Sequence, residues 1–184
     1  MPGDPLNMLS KTQLEPHSAA EIKLLRWSTI IAFALLVLDQ LTKLAVEKNM
    51  VFGESIPVIK GCFSLTYVTN KGAAWGMFHG YGMILFAIGM IVVISALCFL
   101  RKLCDGCSER YIAVMAVLSG VIGNSIDRLW RGEVVDFLDC YIGTRHWPAF
   151  NVADCAICIG IGVYSLSVLM RPIPENGEDA QNAA

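Results

Sequence analysis

Four long apolar runs divide the chain, and the polar segments between them differ sharply in character. The first run, Trp27 to Val46, is 20 residues long and uncharged as far as Leu38, after which Asp39, Gln40 and Lys43 interrupt it. Tyr81 to Leu100 is a second 20-residue run, free of charge and closed by Arg101-Lys102. Tyr111 to Ile126 adds 16 uncharged residues that end at Asp127-Arg128. Ala149 to Met170 is the last run, with Asn151 and Asp154 in its first turns and Pro148 just ahead, where proline suits a helix start. About 17–25 apolar residues in a helix cross a hydrocarbon core. The pattern therefore predicts an all-α membrane protein, a bundle of four transmembrane helices.

The polar segments complete the plan. Residues 47–80 hold Pro57, several glycines and the alternating stretch Phe63-Ser64-Leu65-Thr66-Tyr67-Val68-Thr69, which reads as a small β-containing platform outside the membrane, between the first two helices. Asn70, at the head of Asn70-Lys71-Gly72-Ala73-Ala74-Trp75, either closes a turn or presents its amide to an extended peptide. Residues 27–170 form the membrane domain, with tails at 1–26 and 171–184. Met1 to Glu21 is polar, carries three prolines and lacks the apolar core of a signal peptide, so it is expected to be a disordered tail.

Composition agrees with a membrane protein. The chain of 184 residues is 55% hydrophobic and 16% charged, against about 45–50% and about 25% for soluble domains. A net charge of −2 speaks against a nucleic-acid partner. Seven cysteines, an odd number, three or more of them in apolar runs, do not suggest a disulfide framework. The pairs Cys104/Cys107 and Cys155/Cys158 lie 48 residues apart (155 − 107), too far for a zinc ribbon's spacing of about 15–20. They read as packing and loop thiols, and no metal is expected. No phosphate loop, dinucleotide fingerprint, HExxH or nucleophile elbow occurs, so no cofactor is expected either.

Four spans put both termini on one side. Lys23, Arg26, Arg101, Lys102, Arg110 and Arg171 lie there, against Lys48, Lys60, Lys71, Arg128, Arg131 and Arg145 opposite, so counting alone does not choose. The tight packing of the first six against span ends favours cytoplasmic termini. Asp39, Asn70, Asn124, Asp127, Arg128, Asp136, Asn151 and Asp154 then gather at the outer membrane surface. A carboxylate at mid-bilayer costs about 2.5–3.5 kcal/mol by insertion scales, and intramembrane charges usually mark a functional site. Two neighbouring aspartates share a proton, so one can act as base toward water and the other as acid toward a carbonyl oxygen. A polar network that only ties helix ends is the alternative for the cluster, and an Asp39–Lys43 bridge four residues apart fits either. A small proton- or ion-coupled transporter is the rival function, though the acids gather at one surface and no internal repeat is visible.

At these residues the sequence resembles the type II (lipoprotein) signal peptidases of bacteria. The resemblance runs from Leu36 to Met170 through Asp39-Gln40-Leu41-Thr42-Lys43, Asn70 to Trp75, Gly123-Asn124-Ser125-Ile126-Asp127-Arg128, Val134-Val135-Asp136-Phe137 and Phe150-Asn151-Val152-Ala153-Asp154. Ser125 is polar where many relatives carry an apolar residue. The resemblance implies a monomeric aspartyl endopeptidase of the inner membrane, with its active site at the outer surface. Its substrates would be prolipoproteins carrying diacylglycerol on a cysteine, cut just before that cysteine, with membrane lipid as its surroundings. It implies Asp136 and Asp154 as the catalytic pair and Asp39, Asn70, Asn124, Arg128 and Asn151 as supporting residues. Asp127 matches a position sometimes proposed as catalytic, but its neighbour Arg128 makes it the more natural ion-pair partner, hence a structural residue.

Overall fold

The computed structural model describes residues 19–72 and 77–171. The expected tails, residues 1–18 and 172–184, and Ala73, Ala74 and Trp75 of the Asn70 motif lie outside the described residues. Helix α1 spans Ala19–Asn49, starting eight residues before the predicted run, so residues 19–26 are helical. Strands β1 (Ser55–Ile59) and β2 (Phe63–Asn70) follow, then helices α2 (Gly82–Cys98), α3 (Leu100–Cys104) and α4 (Ser108–Trp130). Strands β3 (Val134–Ile142) and β4 (Arg145–His146) lead to the last helix, α5 (Val152–Met170).

Burial along these helices is inverted relative to a water-soluble protein. On α1 the buried side chains include Ser28, Asp39 and Lys43, while Ile30, Phe33, Val37 and Leu41 are exposed. Such an apolar exterior around a polar interior is stable only in lipid, where each buried polar group needs a partner. Among the described residues, three helices, α1, α4 and α5, are long and apolar enough to cross a membrane, and α2 is an apolar helix of 17 residues. Helical hydrogen bonding continues past its end, from the Phe99 N–H to Ser95 O and from the Leu103 N–H to Phe99 O.

Helix α4 is the axis of the bundle, packing against α1, α2 and α5. Its contacts depend on glycine. A Cβ at Gly120 would lie 2.3 Å from Ala153 O and 2.7 Å from Ile157 Cγ1 of α5, and one at Gly123 would lie 2.7 Å from Asp39 Oδ2 of α1. Small residues of this kind let membrane helices approach closely.

The four strands form one antiparallel sheet in the order β1-β2-β3-β4. The sheet therefore draws strands from the segment after α4 as well as from the platform, which extends the sequence expectation of a β-element confined to 47–80. Val68 pairs with Asp136 and Asn70 with Val134, and a register shift between Leu65 and Val68 interrupts the ladder. Beyond β4, Phe150 bridges Leu138, donating to its carbonyl at 3.0 Å and accepting from the Leu138 N–H at 2.8 Å. This bridge delivers the start of α5 to the side of β3.

Candidate active site

The bridge at Phe150 fixes where Asn151 and Asp154 stand. Asn151 is extended backbone and caps α5, its side chain accepting from the Asp154 N–H at 3.0 Å. Asp154 returns the bond, its Oδ2 accepting from the Asn151 N–H at 3.1 Å. Such a reciprocal box satisfies two of the amide donors that every helix start leaves open. Pro148 precedes this cap by three residues and so does not open the helix itself, contrary to the sequence expectation.

From this cap the two aspartates are held by shared amides. Asn151 Nδ2 donates to Asp136 Oδ1 at 2.7 Å and approaches Asn124 Oδ1 at 3.1 Å. Asn124 Nδ2 donates to Asp154 Oδ1 at 2.8 Å. Asn70, on β2, favours the charged form of the Asp136 carboxyl, while its Oδ1 accepts from the Gly72 N–H at 2.9 Å. Asn70 thus closes the turn, the first of its two sequence alternatives. Arg128 donates to the Asn124 and Gly72 carbonyls at 3.2 and 3.0 Å.

Asp136 and Asp154 both line a cavity of about 890 Å³, with Asn70, Asn124 and Arg128 on its polar wall. Cys155, Cys158 and Ile159 continue its wall along α5, and Trp147, Pro148 and Phe150 cover the side near β4. Asp136 is 3% exposed, and burial first, then the charge of Asp154, pushes its carboxyl up to about 7. A buried carboxyl that keeps its proton to neutral pH beside a second carboxyl is the arrangement that general acid–base hydrolysis requires.

Asp39 and Asp127 stand apart from the cavity wall, fully buried. Asp39 Oδ1 accepts from the Ala153 N–H at 2.8 Å, and its Oδ2 pairs with Lys43 at 2.9 Å, the bridge expected from their spacing. Asp127 does not pair with its neighbour Arg128. It binds Lys43 and Arg131, each at 2.9 and 2.8 Å respectively, and accepts from the Val135 N–H. Adjacent residues on a helix point about 100° apart, whereas residues four apart share a face, so Arg131 is the reachable arginine. The helical spacing 127/131 carried that signal. Asp139 turns away to His146 and Thr66. Among the described residues, no three His, Cys, Asp or Glu side chains converge to hold a metal ion. All seven cysteines are free thiols.

Residues 31–170 match the family described as Signal peptidase (SPase) II. The lipoprotein signal peptidase of Geobacter metallireducens is 40% identical over 144 residues, spanning 77% of this chain and 89% of that one. That of Bacillus pumilus is 41% identical over 143 residues, spanning 77% and 91%. A solved structure described as a bacterial membrane enzyme superposes with a TM-score of 0.74 at 33% identity, covering 82% of this chain and 93% of that chain. The transporter alternative finds no support in these relatives, which are consistently peptidases. The chain belongs to the signal peptidase II family and is a membrane peptidase.

Proposed function

We propose that the protein is an aspartyl endopeptidase of the bacterial inner membrane that removes the signal peptide from diacylglyceryl-modified prolipoproteins, cutting just before the lipidated cysteine. The observation that carries this reading is the pair Asp136 and Asp154, tied by common asparagine donors and facing one cavity. Asp136, with its carboxyl pushed up to about 7, carries the shared proton. Asp154, both of whose oxygens accept from amide N–H groups, acts as base toward a water. The water attacks the scissile carbonyl as Asp136 protonates the carbonyl oxygen, giving a gem-diol; a diol hydroxyl then returns its proton to Asp136 as the C–N bond breaks, and the proton taken by Asp154 passes to the leaving amine. Asn70, Asn124, Arg128 and Asn151 hold the pair and the substrate backbone. Asp39 and Asp127 brace the helices behind them.

The membrane arrangement follows the same reading. Helix α2, continued through Phe99 into α3, is the fourth span beside α1, α4 and α5. Residues 27–170 are the membrane domain, 47–80 contribute an extracytoplasmic platform, and both termini are cytoplasmic. A lipid-modified substrate already lies in the bilayer and reaches the cavity by lateral diffusion, its acyl chains resting along the apolar wall at Cys158 and Ile159. The protein works as a monomer without a cofactor. The test is cleavage of a diacylglyceryl-modified precursor peptide by purified protein in detergent. Asp136→Asn and Asp154→Asn should each abolish the cut while remaining folded, and normal cleavage by either variant refutes the assignment.

A further inference from the structure

Lys43 is fully buried in α1 and does not line the cavity. Its ammonium finds three acceptors, Asp39 Oδ2, Asp127 Oδ2 and Asn124 Oδ1, each at 2.9 Å. An ammonium has three N–H donors and no acceptor, so this set exhausts it. The same fact decides which way the Asn124 amide points. Its oxygen must face Lys43, which leaves its NH₂ to donate to Asp154 at 2.8 Å. That oxygen also accepts from Asn151 Nδ2, which donates to Asp136 Oδ1 and to the Val135 carbonyl as well. The buried cation therefore fixes the sense of the Asn124 amide, while that of Asn151 is set by the bond its oxygen accepts from the Asp154 N–H.

We propose that Lys43 is a positioning residue of the cleavage site: seated between Asp39 and Asp127, its ammonium sets the orientation of Asn124, which aims its N–H at Asp154 and its oxygen at the Asn151 amide that holds Asp136. The inference rests on the reading of Asp136 and Asp154 as the cleaving pair. Its counter-charges are fixed independently. Asp39 is held by the Ala153 N–H, and Asp127 by Arg131, which is itself paired with Glu47. The charged groups around Lys43 and the site are thus Asp39 and Glu47 on α1, Asp127, Arg128 and Arg131 on α4, Asp136 on β3 and Asp154 on α5. A compact ammonium suits three acceptors that converge on one point, whereas the planar fork of a guanidinium does not.

Removing Lys43 alone would leave two buried carboxylates without their cation, so the decisive variants preserve charge balance. Purified Lys43→Met/Asp39→Asn and, separately, Lys43→Arg are assayed for cleavage of a diacylglyceryl-modified precursor peptide across pH, with wild type and Asp136→Asn alongside. For the double variant kcat should fall about 10²-fold with KM little changed, the cost of a loosened catalytic geometry. The acidic limb of its pH profile should stay within about half a unit of wild type, since Lys43 and Asp39 are removed together and their opposite charges offset at the carboxyls. In an Asn124→Ala background the same double substitution should cost less than about threefold, because its route to the aspartates is already cut. Lys43→Arg, which keeps the charge, should still lose about tenfold in kcat. Full losses that multiply in the Asn124→Ala background, or wild-type kcat and pH profile in Lys43→Arg, overturn the proposal. Cleavage by Asp136→Asn would instead overturn the assignment of the cleaving pair, so the two failures are distinct.

Discussion

Replacing Asp136 with asparagine should remove a loss of stability that the wild-type protein suffers as pH rises to neutral, while ending cleavage. The carboxyl is 3% exposed, and burial followed by the charge of Asp154 lifts it from 3.8 to about 7. Because the folded pKa lies above the unfolded one, the folded state keeps its proton longer. The contribution of this carboxyl to stability is therefore fully present below about pH 4 and is lost as pH rises through 7, since unfolding then releases a proton. A shift of about three units, at 1.36 kcal/mol each, amounts to about 4 kcal/mol once both states are ionised. An amide does not titrate and escapes this loss. Turning one carboxylate oxygen into an NH₂ adds a local offset against the Asn151 donor, but that offset does not vary with pH. The quantity to follow is therefore the slope. Thermal unfolding of wild type and Asp136→Asn in detergent from pH 4 to pH 8 should show Tm of the variant rising relative to wild type across that window. At about 2–4 °C per kcal/mol for a chain of this size, the relative gain approaches roughly 10 °C. A Tm difference that stays constant from pH 4 to pH 8 would refute the claim that Asp136 is held protonated by its surroundings.

Two further substitutions probe the frame behind the pair. Gly120→Ala forces a methyl to within 2.3 Å of Ala153 O, so α4 and α5 must separate, at a cost of about 1–3 kcal/mol or more; a lowered Tm with reduced cleavage checks this, and an unchanged Tm contradicts the close approach. Asp127→Asn removes the carboxylate facing Lys43 and Arg131 and should cost about 3–5 kcal/mol, as for breaking a buried ion pair. The folded fraction should retain partial activity, so complete loss of cleavage at an unchanged Tm would make Asp127 a catalytic group instead.

Much of this architecture is legible in the chain, for reasons that also explain the gaps. The apolar runs found the helices because lipid imposes length and charge limits that few other environments do. The gathering of Asp39, Asn124, Asp127 and Asp154 followed from span ends alone. Strand β3 was harder to read. Val134, Val135, Asp136 and Phe137 are all buried, so no alternation betrays a strand, and its aspartates weaken the local β signal. The ends of α1 and α4 were also hidden, because both helices run on through polar residues. Glu47 and Arg131 hold those extensions together across the two helices at 2.8 Å, a pairing that no local pattern announces. Lys43 was legible as a partner of Asp39, yet its reach to Asp127 and Asn124 depends on helix packing at Gly123, which sequence spacing does not encode.

The capping box at the head of α5 carries a consequence for anything designed to block this enzyme. Asp154 closes the end of its own helix while it faces the cavity. A mutation that evades a compound gripping this carboxylate would also unlatch the helix that carries it, so drug pressure meets a side chain with two duties and no spare replacement.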